Sequence, residues 1–458
     1  MKSTIHVAWS ACLFAGLTLC STLPAVAKVS PEKAAELDGP KYTCVGAERG
    51  PSASGIPAYT GKWVGTWPGQ TKPFGYEPGP YKDEKPLFTI NNENQAKYAD
   101  KMTEGQKALM KKYPASFRMD VYPSHRDFGF APWACDVAKK NAVTSEVIHD
   151  GLGITGTSGA IPFPFPASGL EAIWNGINPH RATTESVVFD IADVYANGSI
   201  AWGRAKFMTY NPGNDPNKRG SFQDKLNAYF YQSFMLPERD KGFTAVGIQP
   251  NDFTKEGTAS WQYSPGIRRV RQAPEVGFDF PVPPAGLRTV DDDYGFNGSP
   301  ERYTWKLIGK KEIYVPYHNF KINDPAVKYK DLIKPNTINP DYVRYELHRV
   351  WVIEGNLKPG VRHIYARRTL YADEDTWGTV WADNYDGRGQ LYRANFINFF
   401  YSQESKAFHR GVSVFHDLTS GSYEAGYLVN ERGDNWWRIN IPMTPAMFSP
   451  EAAARGGH

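Results

Sequence analysis

From residue 186 onward, hydrophobic positions recur at every second residue, the period of a half-buried strand. Residues 186–192 and 199–210 read as two strands joined by a turn at Asn197-Gly198. Tyr303, Trp305 and Leu307 alternate with Thr304 and Lys306. Tyr345, Leu347, Trp351 and Ile353 share a face with Arg349, and Ile364, Ala366 and Leu370 share one with Arg362 and Arg368. Trp377, Thr379 and Trp381 follow, then a turn at 386–389, then Tyr392, Ala394 and Phe396, then Val412 and Val414. Short connections predict an antiparallel meander, and one strongly curved sheet joins these strands most simply.

Helical signals are few. Thr103-Glu104-Gly105-Gln106 and Ser168-Gly169-Leu170-Glu171 both have the capping-box pattern, and Ser30 caps a short helix over 31–37. The rest of 28–100 is punctuated by Pro57, Pro68, Pro73, Pro78, Pro80 and Pro86 and reads as an extended arm. The fold class is mainly β with accessory helices, with the body over 101–458. No repeat of fixed period favours a propeller or solenoid. Charges on both faces of the strands argue against a transmembrane barrel.

Composition changes this picture at the N-terminus. Lys2, an apolar stretch over 7–19 and Pro24-Ala25-Val26-Ala27 are the three parts of a secretory signal peptide. Cleavage after Ala27 (residues 1–27 removed) and a periplasmic location are expected. Leu19 before Cys20 fits a lipidation signal poorly. Cys44 and Cys135 remain, and an oxidising compartment invites a disulfide between them; two separate buried thiols is the alternative. With 52 basic against 48 acidic residues, nothing points to nucleic acid as a partner.

No His-Glu-x-x-His, Cys-x-x-Cys or Gly-x-Ser-x-Gly motif is present, so no catalytic residue, metal or cofactor is assigned. Asp291-Asp292-Asp293 does not fit a calcium loop and reads as a solvated loop. Arg268, Arg349 and Arg368 lie among aromatics, where they would hold an anionic headgroup or form cross-strand salt bridges. Pro162, Pro164 and Pro166 alternate with Phe163 and Phe165, which must insert into the core or into the wall of a groove.

Several segments together resemble the domain of unknown function 1329 family. They are 45–49 with 55–61, Pro162-Phe163-Pro164 with 171–175, and 268–274. Asp291-Asp292, Phe296-Asn297-Gly298, 309–312, Tyr385-Asp386-x-x-Gly389 and Asp417-Leu418 complete the set. His318 stands where the family has Asn. The resemblance implies a periplasmic protein similar to outer-membrane lipoprotein-sorting proteins: an open half-barrel with helices plugging its concave face. It also implies a link with membrane transporters that move hydrophobic compounds, and it brings no catalytic residues. The expected function is a carrier or chaperone for a lipid-like molecule, with an inner-membrane transporter or outer-membrane protein as partner. Phe163, Phe165, Trp174, Trp305, Tyr345, Trp351 and Tyr365 are the proposed lining, with Arg268, Arg349 and Arg368 at a headgroup. Two rivals stand beside it. One is a secreted hydrolase using Asp383, Asp386, His348 or His363; the other is a structural partner of an outer-membrane complex with no small ligand.

Overall fold

The computed structural model describes residues 29–61, 76, 78–218, 226–254, 259–272, 279–402, 405–433 and 437–456. The expected signal peptide lies outside them, as do Pro68 and Pro73 of the arm. Among the described residues, sixteen strands form one unclosed sheet. From one edge it runs through Phe88–Ile90, Met119–Val121, Tyr345–Leu357, Arg367–Asp373, Thr379–Tyr385, Leu391–Phe396, Ser413–Asp417 and Tyr423–Leu428. It continues through Thr184–Val194, Ile200–Tyr210, Leu226–Leu236, Thr244–Pro250, Ser260–Ser264 and Arg269–Gln272. Tyr303–Pro316 pairs with Tyr345–Leu357, and Trp437–Ile439 with Thr184–Val194. Among the described residues the pairings are antiparallel apart from Val121 with Tyr345. The sheet is thus two meanders joined at a long-range seam, where Tyr423–Leu428 meets Thr184–Val194.

Directly paired residues share a face. One continuous line runs Leu307, Ile353, Leu370, Ala382, Asn395, Phe415, Glu424, Asp193. Two positions along the strand from one another, Phe189 and Val187 carry it on to Ala205 and Phe207, then to Gln232, Ala245 and Gln262. We call this the inner face. Helix Gly169–Ile177 packs on it: Ala172, Ile173, Trp174 and Ile177 join Trp305, Ile353, Leu370 and Ala382 in one buried cluster. Ser168 caps that helix by accepting from the Glu171 amide, while the Glu171 carboxylate reaches back to the Ala167 amide rather than to Ser168.

Other helices lie on the outer face. Glu104–Lys112 begins with the capping box at Thr103, and its Gly105 sits against Trp381, Asp383 and Ala394. A Cβ there would lie 2.2 Å from the Asp383 carboxylate, so only glycine allows the approach. Pro450–Gly456 covers Tyr231 and Tyr263.

Helix Pro132–Thr144 and strands Leu226–Leu236 and Thr244–Pro250 have no counterpart in the sequence reading. The helix has no side-chain cap, and half of its buried residues are alanine. The strand carries Tyr229-Phe230-Tyr231, aromatic on both faces, so alternation disappears. Trp377 also departs from the expected pattern. It takes φ 62 in the turn after Asp373, which sends it into the inner cluster while Trp381 faces outward.

Candidate functional site

The inner face is filled over one half and open over the other. Along residues 303–428 it is covered by Gly169–Ile177, by 161–163 and by 291–296. The acidic run expected in solvent is buried there instead: Asp291 and Asp292 are 1% and 0% exposed. Such burial is tolerated because each charge has partners. Arg368 holds Asp291 and also donates to Asn384 Oδ1 at 3.0 Å. Tyr365 donates to both oxygens of Asp292, at 3.0 and 3.1 Å, and Asn395 donates to it at 2.9 Å. Burial pushes the Asp291 carboxyl upward, but Arg368 and His363 outweigh it and hold the group below the ordinary value. Asp291 and Asp292 therefore pin the covering segment to the sheet.

Beyond this plug, a cavity of about 410 Å³ remains between the inner face and segment 282–302. Its floor is the alternating residues of four strands: Phe207 and Thr209; Ala228, Phe230 and Gln232; Ala245 and Gln249; Ser260 and Gln262. Phe253, Val282 and Val290 form walls. Leu152, Glu301 and Arg302 line both this cavity and an open surface groove of about 650 Å³, which gives the cavity a route outward.

The polar end holds Arg181, Arg288, Asp293 and Tyr294. Arg288 pairs with Asp293 and with Glu424 Oε1 at 2.7 Å, and Arg410 pairs with Asp293 at 2.8 Å. Arg181 differs. Its guanidinium stacks 4.3 Å from the Tyr294 ring, its Nε is buried without a hydrogen-bond partner, and it has no carboxylate partner among the described residues. Asp193 and Glu424 meet nearby; burial and the Glu424 charge raise the Asp193 carboxyl to about 8.

The residues named from the sequence fall elsewhere. Phe163, Trp174 and Trp305 are packed in the inner cluster; Trp174 Nε1 donates to Gly151 O and Trp305 Nε1 to Pro300 O. Phe165 packs edge-on against Tyr42. Trp351 stacks on Trp377, and Tyr345 packs against Phe396. Arg349 is bound to Glu374 at 2.6 Å and to the carbonyls of Glu48 and Gly50; Arg368 and Tyr365 are engaged by the acidic run. Arg268 is exposed at φ 48 in the turn between Ser260–Ser264 and Arg269–Gln272. None of the ten lines the 410 Å³ cavity. Of the strands that do, Ile200–Tyr210 is read from the period-two pattern, while Leu226–Leu236 and Thr244–Pro250 are not. A signal was there: small and polar Ala228, Gln232, Ala245 and Gln249 at every second or fourth position face a space rather than a core.

Cys44 and Cys135 are bonded, with Cα atoms 5.1 Å apart, and tie segment 41–61 to helix Pro132–Thr144. The histidines named for a hydrolase are internal. His363 Nε2 lies 3.1 Å from Asp291, and His348 Nε2 lies 3.1 Å from Glu346; neither lines the cavity, nor does Asp383 or Asp386. Asp383 is raised to about 6 by burial, although Trp381 Nε1 and the Gly105 amide donate to it. His318 stacks in the same charged region. Burial opposes its protonation, but Glu346 and Asp127 raise it to about 9.

An uncharacterized protein of Pseudomonas aeruginosa is 38% identical over 442 residues, covering 94% of this chain and 95% of that one. Among solved structures, a putative outer membrane lipoprotein-sorting protein domain from Vibrio parahaemolyticus is 12% identical. It has a TM-score of 0.43, covering 63% of this chain and 98% of that one. A DUF1329 family protein from Desulfovibrio piger is 14% identical with a TM-score of 0.39, covering 59% and 92%. Likenesses at these scores carry no argument about function. The model of the family described as "Protein of unknown function (DUF1329)" matches residues 89–454, and the chain belongs to that family.

Proposed function

We propose that the protein is a periplasmic carrier holding a lipid-like molecule with an anionic end in the 410 Å³ cavity. Phe207, Phe230 and Phe253 take the apolar part and Arg181 the anionic end. The observation that carries this reading is Arg181: a guanidinium at one end of a cavity whose walls mix Phe207, Phe230 and Phe253 with polar side chains, without a carboxylate partner among the described residues. The volume lies within the roughly 300–1,000 Å³ of small-molecule sites, which are mostly apolar with a few placed polar groups. Apolar surface buried there contributes about 25 cal/mol per Å². The Cys44–Cys135 bond supports an oxidising compartment.

The test is binding of a fluorescent fatty acid to the purified protein and to Ala245→Trp, which fills the cavity from its floor. Saturable binding that Ala245→Trp abolishes without unfolding the protein is expected. No binding by the wild type, together with no co-purifying lipid in native mass spectrometry, would refute the carrier reading.

A further inference from the structure

A second site lies away from the cavity, where strands Tyr345–Leu357 and Arg367–Asp373 meet the turn after Asp373. His348, Asp373 and Asp375 are all buried, and one potential ligand atom from each lies within 4.8 Å of the others. His348 Nε2 is 3.1 Å from Glu346 Oε2. A carboxylate accepts only, so Nε2 carries the proton and Nδ1 presents its lone pair. That lone pair faces Asp373 Oδ1 at 4.0 Å. The gap is too long for a hydrogen bond. It leaves room for an ion about 2.0–2.2 Å from each atom, which at a tetrahedral angle would draw the two atoms to about 3.3–3.6 Å. Asp373 is fully buried, yet Oδ1 has no hydrogen-bond partner among the described residues; its other oxygen accepts from Tyr317 at 3.1 Å and Thr376 at 2.8 Å. Asp375 accepts from Arg126 at both oxygens, each at 2.7 Å, leaving a second lone pair on each.

We infer that His348, Asp373 and Asp375 form a site for a divalent first-row transition ion, Zn²⁺ or Mn²⁺. Imidazole with two carboxylates is a donor set suited to these ions. Glu346 behind His348 is the outer carboxylate that fixes tautomer and ring orientation in such sites. Tyr317, stacked 3.8 Å from the His348 ring, holds it from the side. Closing 4.8 Å to bonding distance needs side-chain movements of several tenths of an ångström. Because the ligands are buried, the ion enters during folding and its role is structural.

The full chain is expressed with export in medium supplemented with ZnCl₂ or MnCl₂, dialysed against EDTA, and its metal content measured by plasma mass spectrometry. About one ion per chain is expected in the wild type and less than a tenth in Asp373→Asn and His348→Gln. Less than a tenth in the wild type under both supplements, or undiminished content in folded variants, overturns the site. Should both variants fail to fold, cobalt-loaded wild type decides. Intense visible ligand-field bands of a four- or five-coordinate ion support the site, and a spectrum like that of the aqueous ion overturns it.

Discussion

Replacing Arg181 by glutamine removes a cavity guanidinium that has no carboxylate partner among the described residues, and keeps the inner part of its side chain and some polarity. A hydrogen bond to a charged group contributes about 1.5–3 kcal/mol, or roughly 10- to 150-fold in affinity. Arg181 is half-buried rather than enclosed, so screening favours the lower part of that range. The loss should fall on one class of ligand. A fluorescent probe is displaced from wild type and variant by a long-chain carboxylic acid and by the alcohol of equal length. The wild type should prefer the acid by about 10- to 100-fold, and Arg181→Gln should bind both alike. Raising the salt concentration should narrow the wild-type preference and leave the variant unchanged. Equal affinity of the wild type for acid and alcohol would refute the assignment of Arg181, and so would an acid preference that survives in the variant.

Three further outcomes follow from the same geometry. The Cys44–Cys135 bond closes a separation of 91 residues, so the double serine variant should lose about 4–5 kcal/mol in the entropy model. Urea unfolding reads this, and a loss under 1 kcal/mol would show that the arm is held by its ion pairs alone. Trp174→Ala removes a fully buried indole and its bond to Gly151 O, which should cost about 3–5 kcal/mol; an unchanged melting temperature would contradict its place in the core. His416 is buried and lowered to about 4 by burial, although it donates from Nδ1 to Ala394 O. Its contribution is fully present above the unfolded value near 6.5 and is lost as pH falls from there through 4, about 3 kcal/mol in all. His416→Leu should reduce that acid slope in unfolding measured between pH 7 and 4. His180, also lowered to about 4 by burial and by His409, keeps a slope of the same sign.

The mainly β architecture was legible because short alternating stretches, such as Tyr303, Trp305 and Leu307 against Thr304 and Lys306, recur between turns. Both capping motifs marked true helix starts for a local reason: a side chain three residues away decides them. The cavity was not legible. Its floor strands are apolar on one face against Pro450–Gly456 and mixed on the other, so period two is blurred where a ligand space needs small or polar residues. Arg349 and Arg368 were singled out because arginine beside aromatics fits an anion site. Such arginine fits a buried ion pair equally well, and only the position of Glu374 and Asp291, 25 and 77 residues away in sequence, separates the two.

That ambiguity bears on how the fold reserves a site. A sheet this large cannot cover its own inner face, and the chain covers half of it with acids facing arginines. Asp291 and Asp292 meet guanidinium groups of the sheet, Arg368 and Arg393, while Asp293 meets Arg288 of its own segment and Arg410 of the separate pair of strands Phe399–Ser402 and Ala407–Arg410. Truncating one partner of such a pair leaves a buried charge and typically costs about 3–5 kcal/mol, so the covering segment is fixed in register and ends at a defined place. Tyr294, directly after the run, then turns into the cavity at φ 55, between Arg410 at 4.4 Å and Arg181 at 4.3 Å. Arg410 is neutralised by Asp293, and Arg181 has no carboxylate partner among the described residues. The ionic row thus does two things at once. It locks the plug over one half of the inner face, and where its acids run out the Arg181 guanidinium faces the open half.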